Sequence, residues 1–201
     1  MGLFATLVER ISDHPVLFIF IRGILENDFK AIRAVVRQQL EPGAGVKSLD
    51  LGCGPGAFAD MFRGDEYVGV DLNPRYIAHA QSHCPGRFVC GDARKTGLSN
   101  SYFDQVLIFG LLHHLSDEEV RAVLDEALRV LRPGGSILAI EDIPSISKVN
   151  LVGRLIHRVE NGEHIRPPEA YRRLYAEKAT ISHEEVLQSG ICDYYAAVLI
   201  K

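Results

Sequence analysis

The stretch VKSLDLGCGPGAF (46–58) runs from an apolar segment into three glycines at every second position, and its reading decides the fold. A strand that enters a glycine turn and then a helix presents backbone amides to a ligand at the carboxyl end of a sheet. Gly52, Gly54 and Ala57 satisfy the loose dinucleotide pattern GxGxxG/A, so the turn by itself leaves the ligand open. Asp50 narrows the choice. A carboxylate beside a diphosphate in a poorly hydrated crevice is a costly like-charge contact, and Pro55 removes one amide donor from the cradle. The turn therefore predicts a ligand with positive charge at this end.

Outward from the turn, strand and helix signals alternate. Residues 55–62 predict a helix and EYVGVD (66–71) a second strand, after which Asn73 caps a helix with Pro74 at its first position. RFVC (87–90) and DQVLIFG (104–110) are further strands. SDEE (116–119) is a capping box opening an amphipathic helix whose apolar residues recur at i, i+3 and i+4 until RPGG (132–135) stops it. SILAIED (136–142) is a fifth strand. Such alternation implies crossover units, hence a doubly wound α/β architecture with a largely parallel sheet covered on both faces.

The flanks read differently. Residues 3–40 form two or three helices, broken at DHP (13–15) and END (26–28), and the apolar run VLFIFI (16–21) is expected to be buried or to line a pocket. KVNLVGRLIHRVENG (148–162) and PPEAYRRLYAEKA (167–179) read as helical, and YYAAVLIK (194–201) as the last strand. TISHEEVL (180–187) fits a helical capping box or a hairpin strand, and its β-branched start favours the hairpin. One domain over 1–201 is expected: a helical cover (1–45), a ligand-binding core (46–142), a helical insertion or lid (143–179) and C-terminal strands (180–201).

With 201 residues, 47% hydrophobic and 24% charged, the chain can bury one sizeable core. Its net charge of -4 offers no general attraction to a polyanion, so nucleic acid is not the expected partner. Four cysteines without a CxxC pair suggest free thiols and a cytoplasmic setting. The run 16–25 is interrupted by Arg22 and falls short of the roughly 20 residues a membrane span needs. No signal peptide is expected, since Glu9 and Asp13 precede that run.

A ligand bearing an ammonium, a sulfonium, a ribose and an adenine fits the acids that follow. Asp71, 21 residues after Asp50, ends the second strand, where a carboxylate accepts both ribose hydroxyls, as it would for NAD. Asp92, just past the third strand, is placed to accept from an exocyclic adenine amine, with Leu72 and Ala93 as apolar faces for the ring.

LDLGCGPG, VGVDLN, VCGDA, FDQVLIFGLLHHL and ALRVLRPGGSILAIED, in this order and spacing, resemble the successive motifs of class I S-adenosylmethionine-dependent methyltransferases. The resemblance covers about residues 46–142. It implies a Rossmann-like seven-stranded sheet with the last strand antiparallel, and S-adenosyl-L-methionine as cofactor. It assigns Asp50, Gly52 and Gly54, with Cys53 between them, to the methionine end, Asp71 to the ribose, and Asp92 with Ala93 to adenine; Phe109 lies near the methionine part. HHL and HIRPPEAYRRL resemble small-molecule members, and the NPPY-type loop used on nucleobase amines is absent. Methyl transfer to a small-molecule acceptor is thus expected, with RNA or protein methylation, a non-catalytic cofactor-binding protein and an NAD-linked oxidoreductase as alternatives.

Alignment in a closed crevice supplies most of such a reaction, and a base is needed only for a protonated acceptor. His113 and His114 are candidates for that base, or else pack on the loop. Glu141 is a third candidate; Asp142, His164 and Arg166 are candidate acceptor contacts. His79, His83 and Cys84 have metal-like spacing but fall on a polar helix, so no metal is expected. Cys53 reads as a small residue in a tight bend, not a nucleophile.

Overall fold

The computed structural model describes residues 14–40, 43–63, 66–146 and 164–201. The expected helix over 148–162, and whatever precedes residue 14, lie outside them. Helices α1 (Pro15–Leu25) and α2 (Lys30–Gln39) lead into strands β1 (Lys47–Leu51) and β2 (Glu66–Asp71), then α3 (Pro74–His83), β3 (Arg87–Cys90) and β4 (Phe103–Phe109). Helix α4 (Asp117–Val130), β5 (Leu131–Asp142), α5 (Pro168–Ala176), β6 (Thr180–Ser189) and β7 (Cys192–Ile200) complete the order.

The strands form one sheet in the order β3-β2-β1-β4-β5-β7-β6. The pairs β1–β2, β1–β4, β2–β3 and β4–β5 are parallel, whereas β7 runs antiparallel to both β5 and β6. The order reverses direction at β1, so the crevice beyond the ends of β1 and β4 is the switch point where α/β sheets bind ligands. TISHEEVL is a full-length strand of the final hairpin, as its β-branched start suggested. Apolar side chains fill both faces: Leu49, Leu51, Val106 and Ile108 pack towards α4, and Leu107, Leu138 and Ile140 towards α2.

Local signals explain most boundaries. Asn73 accepts from the amide of Arg75, and the capping box at Ser116 closes with Glu119 in both directions. RPGG does not end a free helix: Leu131 already pairs with Phe103, and Arg132–Gly135 bulge out before Ser136 pairs with Gln105.

Two expectations fail. Residues 55–62 form a turn and a short 3₁₀ helix, Ala59–Phe62, because Gly54 and Gly56 take φ of +54° and +88° on either side of Pro55 and prevent helical propagation. The apolar run on α1 is at most partly buried among the described side chains, for Val16, Leu17 and Phe20 are exposed, as is Ile24 beyond it, while Ile19 and Ile21 are half-buried. Helix α1 reaches the sheet through its C-terminal end, where Arg22 and Glu26 meet Tyr194 of β7.

Candidate functional site

A cavity of about 440 Å³ opens at the ends of β1, β2 and β4, within the range of small-molecule sites. Asp50, Gly52, Cys53 and Gly54 form one wall, Asp71 and Tyr76 another, Phe109, His113 and His114 a third, with Arg22 and Phe29 closing it from the N-terminal helices. Gly52, with φ of +78°, permits this because a Cβ there would lie 3.0 Å from the Leu111 side chain.

Asp50 is 2% exposed and accepts a 2.8 Å hydrogen bond from the Tyr67 hydroxyl. Its pKa is raised to about 7, first by burial and then by nearby Asp71, against the lowering effect of the Tyr67 bond. A cation in the cleft would hold Asp50 ionised, whereas a diphosphate would oppose it. A buried carboxylate at this turn therefore favours a positively charged group over an anionic one in the cleft.

Asp71 accepts from the amide of Gly54 through Oδ2 and of Asn73 through Oδ1, each at 2.8 Å. Those bonds fix the plane of the carboxylate and leave each oxygen a lone pair for a further donor. Burial raises its pKa despite them. Burial likewise pushes the Cys53 thiol up, so it carries no thiolate for nucleophilic chemistry.

The adenine end differs from expectation. Leu72 is exposed, as an open rim requires, but the Asp92 carboxylate is forked by Arg94, which also pairs with Glu119. That arginine holds the Asp92 pKa below the usual carboxylate range. Any adenine contact through Asp92 and Ala93 must share the carboxylate with Arg94.

Four candidates have structural surroundings that the sequence did not reveal. Glu141, fully buried, accepts from the amides of Leu111, Leu112 and His113 and lies 2.9 Å from Nδ1 of His113. With four partners it is no free base; it pins the loop after β4 and orients His113. Arg166 is not among the residues that line the cavity. Its guanidinium donates to the carbonyls of Leu112, Leu115 and His164 and to Asp117, clamping that loop from outside. Asp142 is 1% exposed and lies behind Arg22 and His113, not at the mouth. His164 donates its amide to the carbonyl of His113, which ties the start of α5 to the same loop. Among the described residues no metal-binding group of histidine, cysteine and acid occurs. Replacing Arg166 by alanine should lower stability by about 2 kcal/mol through its orphaned carbonyls, read as a lower melting temperature with cofactor affinity preserved.

Sequence reasoning missed Tyr67, Arg22, Phe29 and Phe58. Tyr67 left a trace as the aromatic residue near the start of the strand whose far end is Asp71, and Arg22 as the charge that interrupts the apolar run.

Strand order, glycine turn and strand-end acids are together those of a methyltransferase-like α/β domain. Residues 49–139 match the methyltransferase domain family. An uncharacterized methyltransferase of Mycobacterium sp. (strain KMS) is 36% identical over 119 residues, 56% of this chain and 46% of that protein. A ubiquinone biosynthesis O-methyltransferase of Nitrobacter winogradskyi is 32% identical over 102 residues, 48% of this chain and 38% of that one. The chain thus spans less than half the length of these relatives. The crystal structure of a SAM dependent methyltransferase from Archaeoglobus fulgidus superposes with a TM-score of 0.69 at 19% identity, covering 92% of this chain and 99% of that one. Among the described residues no helix is long and apolar enough to cross a membrane.

Proposed function

We propose that this protein transfers a methyl group from S-adenosylmethionine to a small-molecule acceptor. The observation that carries the reading is the buried Asp50 carboxylate at the glycine turn, in a cleft whose next wall presents Asp71. Asp50 and the turn amides hold the methionine end, Asp71 the ribose, and Leu72 with Asp92 and Ala93 the base. When bound, the cofactor supplies an electrophilic methyl on a sulfonium. The chain's own residues then align the acceptor and keep water out, an effect worth about 7 to 11 kcal/mol where alignment is good. Phe29, Phe58 and Phe109 give the acceptor side an apolar wall, which supports a compact organic acceptor over a nucleic acid or a protein. The ubiquinone-pathway O-methyltransferase among the relatives favours the same choice.

Calorimetric titration with S-adenosylhomocysteine against NAD tests the reading. Micromolar binding of the former is expected, and tight NAD binding without it would reverse the assignment. Replacing Asp71 by alanine should weaken S-adenosylhomocysteine at least about tenfold, the loss of charge-assisted hydrogen bonds. An unchanged affinity would remove the ribose contact.

A further inference from the structure

The acceptor side carries a charge pattern that the cofactor does not use. Phe29, Phe58 and Phe109 meet edge-to-face at centroid separations of 4.9 to 5.9 Å, and beyond this apolar wall stand His113 and Arg22. Glu141 and Asp142 of β5 lie 2.9 and 3.8 Å from Nδ1 of His113. From α1, Arg22 pairs with Glu26 and lies 3.9 Å from Asp142. The His114 ring is 4.1 Å from that of His113, Tyr194 of β7 contacts Arg22, and Tyr171 of α5 donates to the Asp142 carbonyl, with Arg166 on the outer side of the loop.

Three buried carboxylates, Glu26, Glu141 and Asp142, thus face Arg22 and one titratable imidazole. Even with His113 protonated, negative charge is in excess. Among the described residues neither Asp142 oxygen has a hydrogen-bond donor. Such a carboxylate is costly to bury unless a positive charge develops beside it.

Resting on the methyltransferase reading, we propose that the acceptor is a neutral hydroxyl compound with an apolar body, that His113 takes its proton, and that Glu141 and Asp142 stabilise the resulting imidazolium and disfavour anionic acceptors. Nδ1 carries its hydrogen towards Glu141, so Nε2 is the ring nitrogen left to serve the cleft that His113 lines. As the acceptor oxygen bonds to the methyl carbon, its proton passes to Nε2 and the electron pair of the carbon–sulfur bond returns to sulfur. The products are a methyl ether and a neutral thioether, and the imidazolium later yields its proton to water. Burial disfavours that cation, but the hydrogen bond to Glu141 and the charges of Asp142 and Glu141 outweigh burial and the opposing Arg22, so the His113 pKa is raised. Glu141 and Asp142 are positioning residues; His113 is the catalytic one. A phosphate ester would bring its charge against the same carboxylates.

The test uses 4-nitrophenol, whose anion absorbs visibly, bound to the protein saturated with S-adenosylhomocysteine. In the wild type the bound phenol should ionise at least about one pH unit below the free phenol, a tenfold shift in its equilibrium. H113Q should abolish that shift. D142N, which breaks no hydrogen bond, should reduce it in an intact fold even if H113Q fails to fold. In the wild type, 4-nitrophenyl phosphate should bind at least about tenfold more weakly than 4-nitrophenol, and D142N should narrow that gap. No 4-nitrophenol binding, an unshifted phenol, a D142N titration identical to wild type or preferential binding of the phosphate ester overturns the proposal. Failure to bind S-adenosylhomocysteine in the first place would instead sink the methyltransferase reading.

Discussion

Asp50→Asn should make the ligand-free protein more stable at pH 8 and weaken its cofactor about 100-fold. The two effects share one cause. A carboxylate with a pKa of 3.8 in the unfolded chain and about 7 in the fold is protonated preferentially by folding. Its contribution to stability is intact below pH 3.8, declines as pH rises, and is fully lost above 7, a penalty of about 4 kcal/mol at most. Asparagine still accepts from Tyr67 but carries no charge to desolvate. Thermal melts should therefore show the variant above wild type at pH 8, by several degrees for a chain of this size, and level with it near pH 4. Binding moves the other way, since removing one partner of a buried charge pair costs about 2 to 5 kcal/mol. The wild-type affinity for S-adenosylmethionine should fall as pH drops below 7, because the ammonium must ionise Asp50 first, and the variant should lose that dependence. A variant that binds the cofactor as tightly as wild type would remove the electrostatic basis of the site.

What the sequence disclosed follows from range. Buried parallel strands are short apolar runs, and Asp50, Asp71 and Asp92 stand within, at the end of and just past the first three, so β1 to β5 and the places of these acids were legible from neighbours a few positions apart. Capping boxes are equally local, and Ser116 with Glu119 formed as read. The partners of those residues were not legible. Arg22 and Tyr194 are 172 positions apart, Arg166 reaches carbonyls about fifty positions upstream, and Glu141 collects amides from a loop thirty before it. Nothing in composition or periodicity couples such positions. The failed helix at 55–62 has another origin: the glycines that shape the ligand turn also supply the left-handed backbone that stops a helix, so local propensity and site geometry competed. On α1 the apolar pattern was visible, but which face it covers depends on elements packed from elsewhere.

Gly190→Ala should be the most damaging single substitution outside the cleft. Gly190 turns β6 into β7 with φ of +58°, and a Cβ there would lie 2.0 Å from the Leu25 carbonyl oxygen and 2.7 Å from the Glu26 Cα. Both obstacles are backbone, so no rotamer relieves them. The same turn holds the end of α1, through the Ile191 amide on the Leu25 carbonyl at 3.0 Å and the Ser189 hydroxyl on that of Glu26 at 2.9 Å. Left-handed strain alone costs about 1 to 2 kcal/mol, and displacing the packed backbone should bring the total to about 4 kcal/mol or more. Gly134→Ala supplies the control, since Gly134 has φ of +78° with nothing within 4 Å of its Cβ and should show the strain alone. The melting temperature of the Gly190 variant should therefore fall by about 8 to 16 °C, well beyond the control. Because α1 carries Arg22 and ends at Glu26 while Asp50 and Asp71 sit on strands, binding of 4-nitrophenol should suffer more than binding of S-adenosylhomocysteine. If both glycine variants melt together, the turn does not grip α1, and the cation on that helix owes its place to something else.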